Sequence, residues 1–499
     1  MSDNRIRKVV IVGGGTAGWM AAAALARFMG KVLDIEVVES EQIRTVGVGE
    51  ATIPQIRLLV KALGIDENEF LSQVQGSIKL GVQFVGWKEP GHSYLHGFGP
   101  IGRSLGTLQF WQYWLRSVQE GGTSSLWSYS TTAMASDQNR FVAGEHPEDL
   151  SSPVFAYHFD AALVAKVLRH YAEKRGVVRT EGKVVDTILR GTDGFIEAIV
   201  LEGDRRIAGD LFVDCSGFRG LLIEQALKTG YEDWSRWLPC DRALAIQCES
   251  VEPLTPYTRA TAQKAGWIWR IPLQERIGTG HVYCSRHTSD DEAAATLLAN
   301  LDGKAIKEPW PLKFVTGRRK KAWNRNCVAL GLASGFLEPL ESTSIHLIQS
   351  GVSRLVTMFP DRRFAQNEID EYNRQCASEF EHTRDFIALH YYANGRPEPF
   401  WQHCREMPLP PGLKHRLDLF RVSGRVYREP DDLFLDLSWL QVMLGQGITP
   451  VGHHPAADVL TPAQLEEFMG TVRALVDRAV SDMPSLREWL NRNCAARRS

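Results

Sequence analysis

The chain has 499 residues, too many for one simple hydrophobic core, so two or three interleaved units are expected. Lysine plus arginine (57) and aspartate plus glutamate (59) nearly balance. The resulting net charge of -2 gives no indication of nucleic acid or an anionic membrane as a partner, and no apolar run approaches the ~18 residues of a membrane span.

The cysteines indicate the redox state of the cellular compartment in which the protein works. Eight of them are scattered along the chain without any C-x-x-C pair, which favours free thiols in a reducing compartment over disulfides or a zinc site. Because the first strand pattern begins near Arg7, we expect no removable signal peptide. The sequence therefore predicts a cytoplasmic protein without a bound metal.

The chain opens with the pattern of a dinucleotide-binding strand, loop and helix. An apolar run over residues 7–12 predicts the strand, and residues 19–28 (WMAAAALARF) predict the helix that follows. The loop between them fits G-x-G-x-x-G through Gly13, Gly15 and Gly18. Glycines there allow close backbone approach to a pyrophosphate, which the helix N-terminus attracts. A second predicted strand, residues 35–38, precedes Glu39, whose carboxylate can accept ribose hydroxyls.

Lys79 lies in a stretch with the alternation of a strand. The apolar positions of residues 77–84 (SIKLGVQF) share one face: Ile78, Leu80, Val82 and Phe84. Lys79 belongs to the opposite face. A lysine there is ordinarily solvated, so a chemical role requires that this face line an enclosed tunnel.

A later segment bears on which dinucleotide is bound. Residues 213–217 (VDCSG) follow an apolar run far downstream of the first motif. A chain that returns to the nucleotide-binding domain this late resembles FAD proteins of the two-dinucleotide fold, in which a substrate domain is inserted. The alternative is a strand followed by a simple turn. No second G-x-G-x-x-G follows, so a tight NAD(P)H domain is not indicated. One FAD and no built-in reductase site is predicted.

The hexapeptide over residues 267–272 (WIWRIP) makes unusual use of large side chains. In a strand, Trp267, Trp269 and Ile271 point to the same face, and Pro272 ends the ladder by removing a donor. The result is a rigid aromatic wall beside a bound molecule. A strand edge that packs two indoles into a core is the alternative.

Residues 336–343 (FLEPLEST) precede a helical pattern. The apolar residues that follow recur at helical intervals: Ile345, Ile348, Val352, Leu355 and Met358. This spacing predicts a helix that begins near Ser342 or Thr343, with the hydroxyl as N-cap. Glu341 would then complement the helix dipole, a contribution of ~0.3–1 kcal/mol that needs no chemical role.

The clearest break in the chain is residues 407–412 (MPLPPG), beyond which the pattern is helical and polar. We therefore predict a nucleotide-binding module with an interleaved substrate sheet over residues 1–406. A mainly helical region that covers the substrate site is predicted over residues 407–499.

Together these motifs resemble the tryptophan-halogenase family of flavin-dependent halogenases over almost the full length. The motifs that carry the resemblance are residues 13–18, 47–54 (GVGEATIP), Lys79, WIWRIP and FLEPLEST. Flavin monooxygenases share the nucleotide motif but not the pairing of WIWRIP with a lysine. The fold implied is α/β, a Rossmann-like two-dinucleotide FAD-binding domain with an interleaved β-rich substrate region and a helical C-terminal part.

The resemblance also implies the chemistry. A separate NAD(P)H-dependent flavin reductase delivers FADH2, which with O2 and chloride or bromide yields hypohalous acid. This acid passes through an internal tunnel to Lys79, near a small aromatic substrate. Residues expected at FAD are Gly13, Gly15, Thr16, Ala17, Gly18, Glu39, Gly49, Glu50, Ala51, Asp214, Leu337 and Ile345.

Further roles follow from the same resemblance. Glu341, with Ser342, would stabilise the cationic ring and remove its proton, while the N–H groups of Thr343 and Ser344 hold the halide. Trp267 and Trp269 would keep the arene away from the flavin. Ser344 stands where the family has glycine, which leaves the preference for chloride or bromide open.

Three aromatic residues bear on the substrate. His96 and Phe98 approximately match the family's pair that sandwiches an indole, and Trp439 belongs to the C-terminal segment that covers the ring. That segment, residues 438–445, lacks the tyrosines and phenylalanines expected of an amino-acid clamp. An indole, a substituted indole or a larger indole- or phenol-bearing molecule is therefore favoured over free tryptophan.

Two other functions remain open at this stage. A flavin-dependent aromatic monooxygenase would hydroxylate its substrate without a halide, and a non-catalytic flavoprotein would need no polar groups at a substrate cavity. The sequence does not determine the ring position halogenated, the reductase or the oligomeric state, for which a homodimer is one arrangement.

Overall fold

The computed structural model describes residues 4–43, 49–144 and 146–497. They form two compact units, each assembled from three stretches of chain. The first unit comprises residues 1–74, 159–235 and 313–381, and the second comprises residues 75–158, 236–312 and 382–499. The boundary predicted between residues 406 and 407 lies within the second unit, and the covering role of residues 407–499 stays a prediction.

The helices of the described residues are, in chain order, α1 (Thr16–Met29), α2 (Ile56–Leu63), α3 (Glu67–Gln73), α4 (Phe110–Gln119), α5 (Thr131–Asp137), α6 (Ala161–Glu173), α7 (Asp290–Ala299), α8 (Ser344–Thr357), α9 (Gln366–Tyr392), α10 (Pro399–Glu406), α11 (Pro411–Ser423), α12 (Asp436–Gly445), α13 (Pro462–Ser481) and α14 (Leu486–Asn493).

The strands of the described residues are β1 (Lys8–Val12), β2 (Asp34–Glu39), β3 (Gly49–Ala51), β4 (Ser77–Lys79), β5 (Gly81–Val85), β6 (Ser93–Gly97), β7 (Ala156–Asp160), β8 (Val178–Glu181), β9 (Val184–Leu189), β10 (Ile196–Leu201), β11 (Arg206–Ala208), β12 (Leu211–Asp214), β13 (Tyr231–Asp233), β14 (Arg242–Glu249), β15 (Thr258–Gln263), β16 (Gly266–Pro272), β17 (Arg276–Tyr283), β18 (Trp310–Lys313), β19 (Gly317–Arg319), β20 (Trp323–Asn324), β21 (Cys327–Ala329) and β22 (Gly335–Phe336).

The first unit is built on a six-stranded sheet in the order β20-β21-β12-β1-β2-β8. All its neighbours pair in parallel except β20 and β21. The inner strands β1, β12 and β21 are mainly apolar and buried, as expected where a sheet is covered on both faces. Strand β1 and helix α1 confirm the predicted strand, loop and helix, and β12 confirms the predicted downstream return.

The register of this sheet locates its carboxyl edge. Val12, the last residue of β1, pairs with Asp214 on β12 and with Val38 on β2. Asp214 in turn pairs with Ala329, the last residue of β21. Several strands therefore end at one level, which is where open α/β sheets bind their ligands.

The second unit is built on a mixed sheet that contains the order β14-β17-β16-β15-β5-β6. Its described pairs in this order are antiparallel, apart from the parallel pair of β15 and β5. The WIWRIP segment is β16, in the middle of this sheet, and every residue of it is buried. Outside this sheet, strand β4 pairs with β7 in antiparallel orientation. The stretch after residue 412 is helical, as its pattern predicts.

Two further observations concern the whole chain. All eight cysteines are free, and seven are buried, as their spacing predicts. Among the described residues, we find no helix with the length and apolar character needed to cross a membrane.

Candidate active site

The loop between β1 and α1 is packed so closely that it requires glycine. Gly13 has φ +115°, and a Cβ there would lie 2.2 Å from the Cys215 carbonyl oxygen. A Cβ on Gly14 would lie 1.4 Å from a carboxylate oxygen of Glu39. Only a bare backbone fits between these two neighbours, so the loop presents its peptide groups rather than side chains.

The N-terminus of α1 is suited to an anion. The helix begins at Thr16 after Gly15, and within the described residues no side chain caps it and its first turn contains no acid. Its exposed N–H groups and partial positive charge therefore favour a phosphate. This loop, together with the acid at the end of β2, fits a dinucleotide such as FAD.

Glu39 is held beside this loop by three donors. Its carboxylate accepts from the Trp19 indole nitrogen at 3.3 Å, from Arg179 Nε at 2.5 Å and from Arg169 at 3.4 Å. The carboxylate is thereby fixed where ribose hydroxyls are expected. The two arginines were not identified from the sequence, because they follow Gly18 by more than a hundred residues.

Asp214 is buried, and its carboxylate binds the turn that follows β12. One oxygen accepts from the Ser216 amide and hydroxyl, and the other accepts from the amides of Leu222 and Ile223 at 2.8 Å. These four donors support a role in shaping the turn next to Gly13. A direct contact between Asp214 and the cofactor stays a prediction.

The segment GVGEATIP is described from Gly49 onward; Gly47 and Val48 lie outside the described residues. Gly49, Glu50 and Ala51 form β3. Desolvation raises the pKa of Glu50 to about 7, so its carboxyl titrates near neutral pH in a segment expected to bind FAD.

A further glycine of this unit was missed from the sequence. Gly331 follows β21, has φ +62°, and would place a Cβ 2.9 Å from the Ala17 Cβ. The preceding Leu330 amide donates to the Asp214 carbonyl at 2.9 Å. Gly331 thus faces the first turn of α1. The sequence pattern that could have identified it is the one that precedes Gly13, an apolar run that ends in glycine.

The FLEPLEST segment forms a tight entry into α8. A 3-10 turn over Pro339–Glu341 is followed by Ser342 with φ +60° and by Thr343, after which α8 begins at Ser344. The helix begins next to its predicted position. The predicted hydroxyl cap is wrong, because within the described residues no side chain caps α8 and Thr343 already has helical dihedrals. Positive φ at a serine is uncommon and concentrates at functional sites.

This entry is buried and carries hydrogen-bond donors for an anion. Glu341, Ser342 and Thr343 are each less than 5% exposed. Thr343 Oγ1 has no hydrogen-bond partner within residues that the structure describes, and no acid occupies the first turn of α8 there. A buried hydroxyl beside an uncapped helix N-terminus is suited to bind a halide.

Glu379 on α9 forms hydrogen bonds with three side chains of α8. Glu379 accepts from His346 Nε2 at 3.1 Å, from the Ser350 hydroxyl at 2.7 Å and from Arg354 at 3.0 Å. Desolvation opposes its charge, but the hydrogen bond and charge of His346, followed by the charge of Arg354, hold the pKa of Glu379 below its ordinary value. Gln349 also donates to the Gln55 carbonyl at 2.8 Å, next to α2.

In the second unit, Lys79 is fully buried at the end of β4, so the solvated alternative is wrong. Its Nζ lies 5.3 Å from the ring centroid of Phe98. The next residue, Leu80, donates to the Pro256 carbonyl at 2.7 Å and accepts from the Phe98 amide at 2.8 Å. Leu80, the one residue between β4 and β5, therefore links Lys79 to Phe98, one of the predicted substrate aromatics.

His96 and Trp439 both lie against the ring of Phe386. Phe386 lies 5.5 Å from the His96 ring and 4.9 Å from Trp439, between ring centroids. Gln441 makes two hydrogen bonds of 3.0 Å with the backbone of Gly97, one as donor and one as acceptor. This amide joins α12 to the end of β6, between His96 and Phe98.

Trp267 and Trp269 share one face of β16, with ring centroids 6.3 Å apart, as their spacing predicts. Trp267 donates to the Tyr391 hydroxyl at 2.9 Å and lies 6.3 Å from the Trp87 ring. The alternative of a core-packing edge strand is half confirmed: β16 pairs on both sides and so is not an edge, but both indoles are buried in the core. Whether this wall separates substrate from flavin stays a prediction.

Comparison with known proteins agrees with this geometry. A family model described as tryptophan halogenase matches residues 8–462. The structure of Xcc4156, a flavin-dependent halogenase from Xanthomonas campestris, superposes with a TM-score of 0.97 at 46% identity, over 99% of this chain and 100% of that one. The chain belongs to the tryptophan halogenase family.

Two further members of the family show how far the likeness extends. BrvH, a flavin-dependent halogenase from Brevundimonas sp. BAL3, has a TM-score of 0.95 at 45% identity and covers 98% of this chain and 100% of its own. Tryptophan 6-halogenase ThaL of Streptomyces albogriseolus is 34% identical over 526 residues, 98% of each chain.

Membership of the tryptophan halogenase family confirms three predictions: the family itself, the α/β FAD-binding fold, and an enzyme that halogenates aromatic substrates. Enzymes of this family use FAD, a halide and O2, and generally receive reduced flavin from a separate reductase. The residues predicted at FAD and at the halide belong to the first unit, and Lys79 and the substrate aromatics belong to the second.

Proposed function

We propose that this halogenase uses hypohalous acid, guided by Lys79, to halogenate an electron-rich arene of the indole class. The observation that carries the proposal is the complete burial of Lys79 beside Phe98. Lysine is rarely buried without a purpose, because desolvation of its ammonium is costly. Its neighbour Phe98 has an aromatic face of the kind that binds a planar ring.

The cofactor would be held by the loop of Gly13 to Gly18, by Glu39, by the β3 segment and by Leu337 and Ile345. When bound, reduced FAD supplies with O2 the oxidising equivalent that converts chloride or bromide into hypohalous acid. We propose that the amides of Thr343 and Ser344 hold the halide, together with the Thr343 hydroxyl.

At the arene, Lys79 would donate a hydrogen bond to the oxygen of hypohalous acid or react with it to form a haloamine. Either route presents an electrophilic halogen to the ring. Because the lysine is buried, water competes poorly for that halogen. Glu341, supported by Ser342, would stabilise the cationic ring and accept the proton that restores aromaticity.

The arene would stack between His96 and Phe98, with Trp439 covering it, each aromatic pair contributing ~0.5–1.5 kcal/mol beyond burial. The wall of Trp267 and Trp269 would keep the ring from the flavin. The missing aromatic clamp in residues 438–445 supports an indole or a substituted indole over free tryptophan.

One detail favours a substituted ring. The indole nitrogen of Trp439 is buried without an acceptor in the described part of the chain. A buried donor left unsatisfied costs ~1–3 kcal/mol, so a substrate that carries a carbonyl would recover part of that free energy. We therefore expect indoles with a carbonyl substituent to have a lower KM than indole itself.

The test is mass spectrometry of a reaction with FAD, a flavin reductase, NADH, bromide and a panel of indole, 3-acylindoles, tryptophan and phenols. A product with the bromine isotope doublet, greatest for indole or a 3-acylindole, supports the proposal. A product that contains oxygen instead, formed without halide, would identify a monooxygenase. Preference for tryptophan would refute the substrate class. The cytoplasmic location and a homodimer stay predictions.

A further inference from the structure

We propose that His158 is a positioning residue for Lys79 and that it works as a neutral ring with its hydrogen on Nδ1. The proposal rests on the function proposed above for Lys79. His158 belongs to β7, and its side chain is fully buried. It was not identified from the sequence, because one histidine between apolar residues has the pattern of an ordinary core strand.

The β4–β7 pair places this histidine. His158 pairs with Ser77, and Ala156 pairs with Lys79, two residues further along each strand. His158 Nδ1 lies 3.2 Å from the Ser77 hydroxyl oxygen, and His158 Nε2 lies 2.9 Å from the Thr258 hydroxyl oxygen. Both ring nitrogens are therefore engaged by hydroxyl groups, and these side chains are all buried.

Counting hydrogens determines the tautomer. The Ser77 hydroxyl donates its only hydrogen to the Pro272 carbonyl, which can only accept. Ser77 must therefore accept from His158, so Nδ1 carries a hydrogen. In the neutral ring Nε2 is then an acceptor, and the Thr258 hydroxyl donates to it. Every member of the chain from Thr258 to Pro272 is satisfied in this tautomer.

This chain of hydrogen bonds connects the strand of the catalytic lysine to the WIWRIP strand. Ser77 lies two residues before Lys79, and Pro272 is the last residue of β16. On the other side of Lys79, the Leu80 amide is fixed to the Pro256 carbonyl. Lys79 is thus held between two anchored residues, one of which depends on His158.

The electrostatics favour the neutral ring. Desolvation is the largest cause that lowers the pKa of His158 well below its ordinary value, followed by the positive charges of Lys79 and Arg270. Protonation would remove the acceptor for Thr258 and add a second buried cation near Lys79. Because both ring nitrogens of His158 are bound by hydroxyl groups of the protein, its role is to fix β4.

The test compares two substitutions, each of which places an amide near the position of one of the two ring nitrogens. His158→Asn places an amide N–H near Nδ1 and retains the donor to Ser77; His158→Gln reaches the Nε2 position and loses that donor. Ser77→Ala removes the link itself. Two rates are measured at saturating FAD and bromide: halogenated indole formed, and free hypohalous acid captured by a β-diketone when no arene is present.

Displacement of Lys79 affects only the step after hypohalous acid is formed. We expect His158→Gln and Ser77→Ala to lower halogenated product at least 10-fold while the trapped acid stays within 2-fold. His158→Asn should retain product within about 3-fold. A purely structural role would lower both rates together, with no difference between Asn and Gln, and that result would overturn the proposal.

Lys79→Ala in the same assay separates the two proposals. Full product from Lys79→Ala would refute the function proposed for the lysine; loss with Lys79→Ala but normal product with His158→Gln would refute only the positioning role. If the variants fail to fold, nitrogen NMR of the intact protein labelled at histidine decides. A neutral His158 with its hydrogen on Nδ1 supports the proposal, and one with its hydrogen on Nε2 refutes it.

Discussion

Gly280→Ala is a direct test of the wall formed by WIWRIP. Gly280 on β17 pairs with Trp269 on β16. A Cβ there would lie 2.2 Å from two carbons of the Trp269 ring and 2.4 Å from the Leu244 carbonyl oxygen, where ordinary contacts begin at 3.4 Å. The ring or the strand must therefore move by about 1 Å, since the backbone carbonyl on the other side cannot yield.

Overpacking of this kind typically costs about 1–3 kcal/mol. At roughly 2–4 °C per kcal/mol for a large domain, the apparent Tm should fall by roughly 2–12 °C. Gly470→Ala is the matched control, because that exposed position in α13 has no atom within 4 Å of the added Cβ. It should raise stability slightly, by about 0.5–1 kcal/mol.

The same substitution should change the products. If Trp269 keeps the arene from the flavin, its displacement should increase oxygenated indole relative to halogenated indole, measured by mass spectrometry at fixed bromide. An unchanged Tm and an unchanged product ratio in Gly280→Ala would refute both the packing argument and the role of the wall.

Three further predictions concern the first unit. Glu341→Gln should lower halogenated product by about 10²–10⁴-fold, as expected for loss of a proton acceptor, while trapped hypohalous acid persists; parallel loss of both would refute the assignment. Thr343→Val should raise the KM for bromide about 2–10-fold by removing one hydrogen bond of about 0.5–1.5 kcal/mol, and an unchanged KM would place the halide elsewhere. The pKa of Glu379 is depressed in the folded chain, so its stabilisation is complete above about 4.5 and is lost as pH falls through the folded value. Glu379→Gln should therefore lower the apparent Tm at pH 7 and flatten its decline below pH 4.5; equal slopes for both proteins would contradict this.

Local patterns predicted the elements they govern. Strand β1, helix α1 and the shared face of Trp267 and Trp269 depend on periodicity and on glycine, which the sequence shows directly. The division into two units could not be predicted from one break near residue 407, because each unit is assembled from three separate stretches of the chain. Contact between such stretches leaves no local signal.

The candidate site shows the same limit. The burial of Lys79 depends on β7, which lies nearly eighty residues further along, and the His158 hydrogen bonds depend on Thr258 and Pro272, further still. The hydroxyl cap on α8 was wrong because Thr343, at the N-cap position, has helical dihedrals and makes no side-chain cap hydrogen bond among the described residues. Family resemblance supplied the roles that periodicity could not.

The role of Lys79 is tested most directly by the halogenated product of Lys79→Ala compared with that of Lys264→Ala. Lys264 is an exposed lysine of the same unit, between β15 and β16, so its loss controls for charge. With indole, bromide, FAD, NADH and a flavin reductase, we expect no brominated product but normal FAD binding from Lys79→Ala, and wild-type product from Lys264→Ala. Brominated indole from Lys79→Ala at the wild-type rate would contradict it.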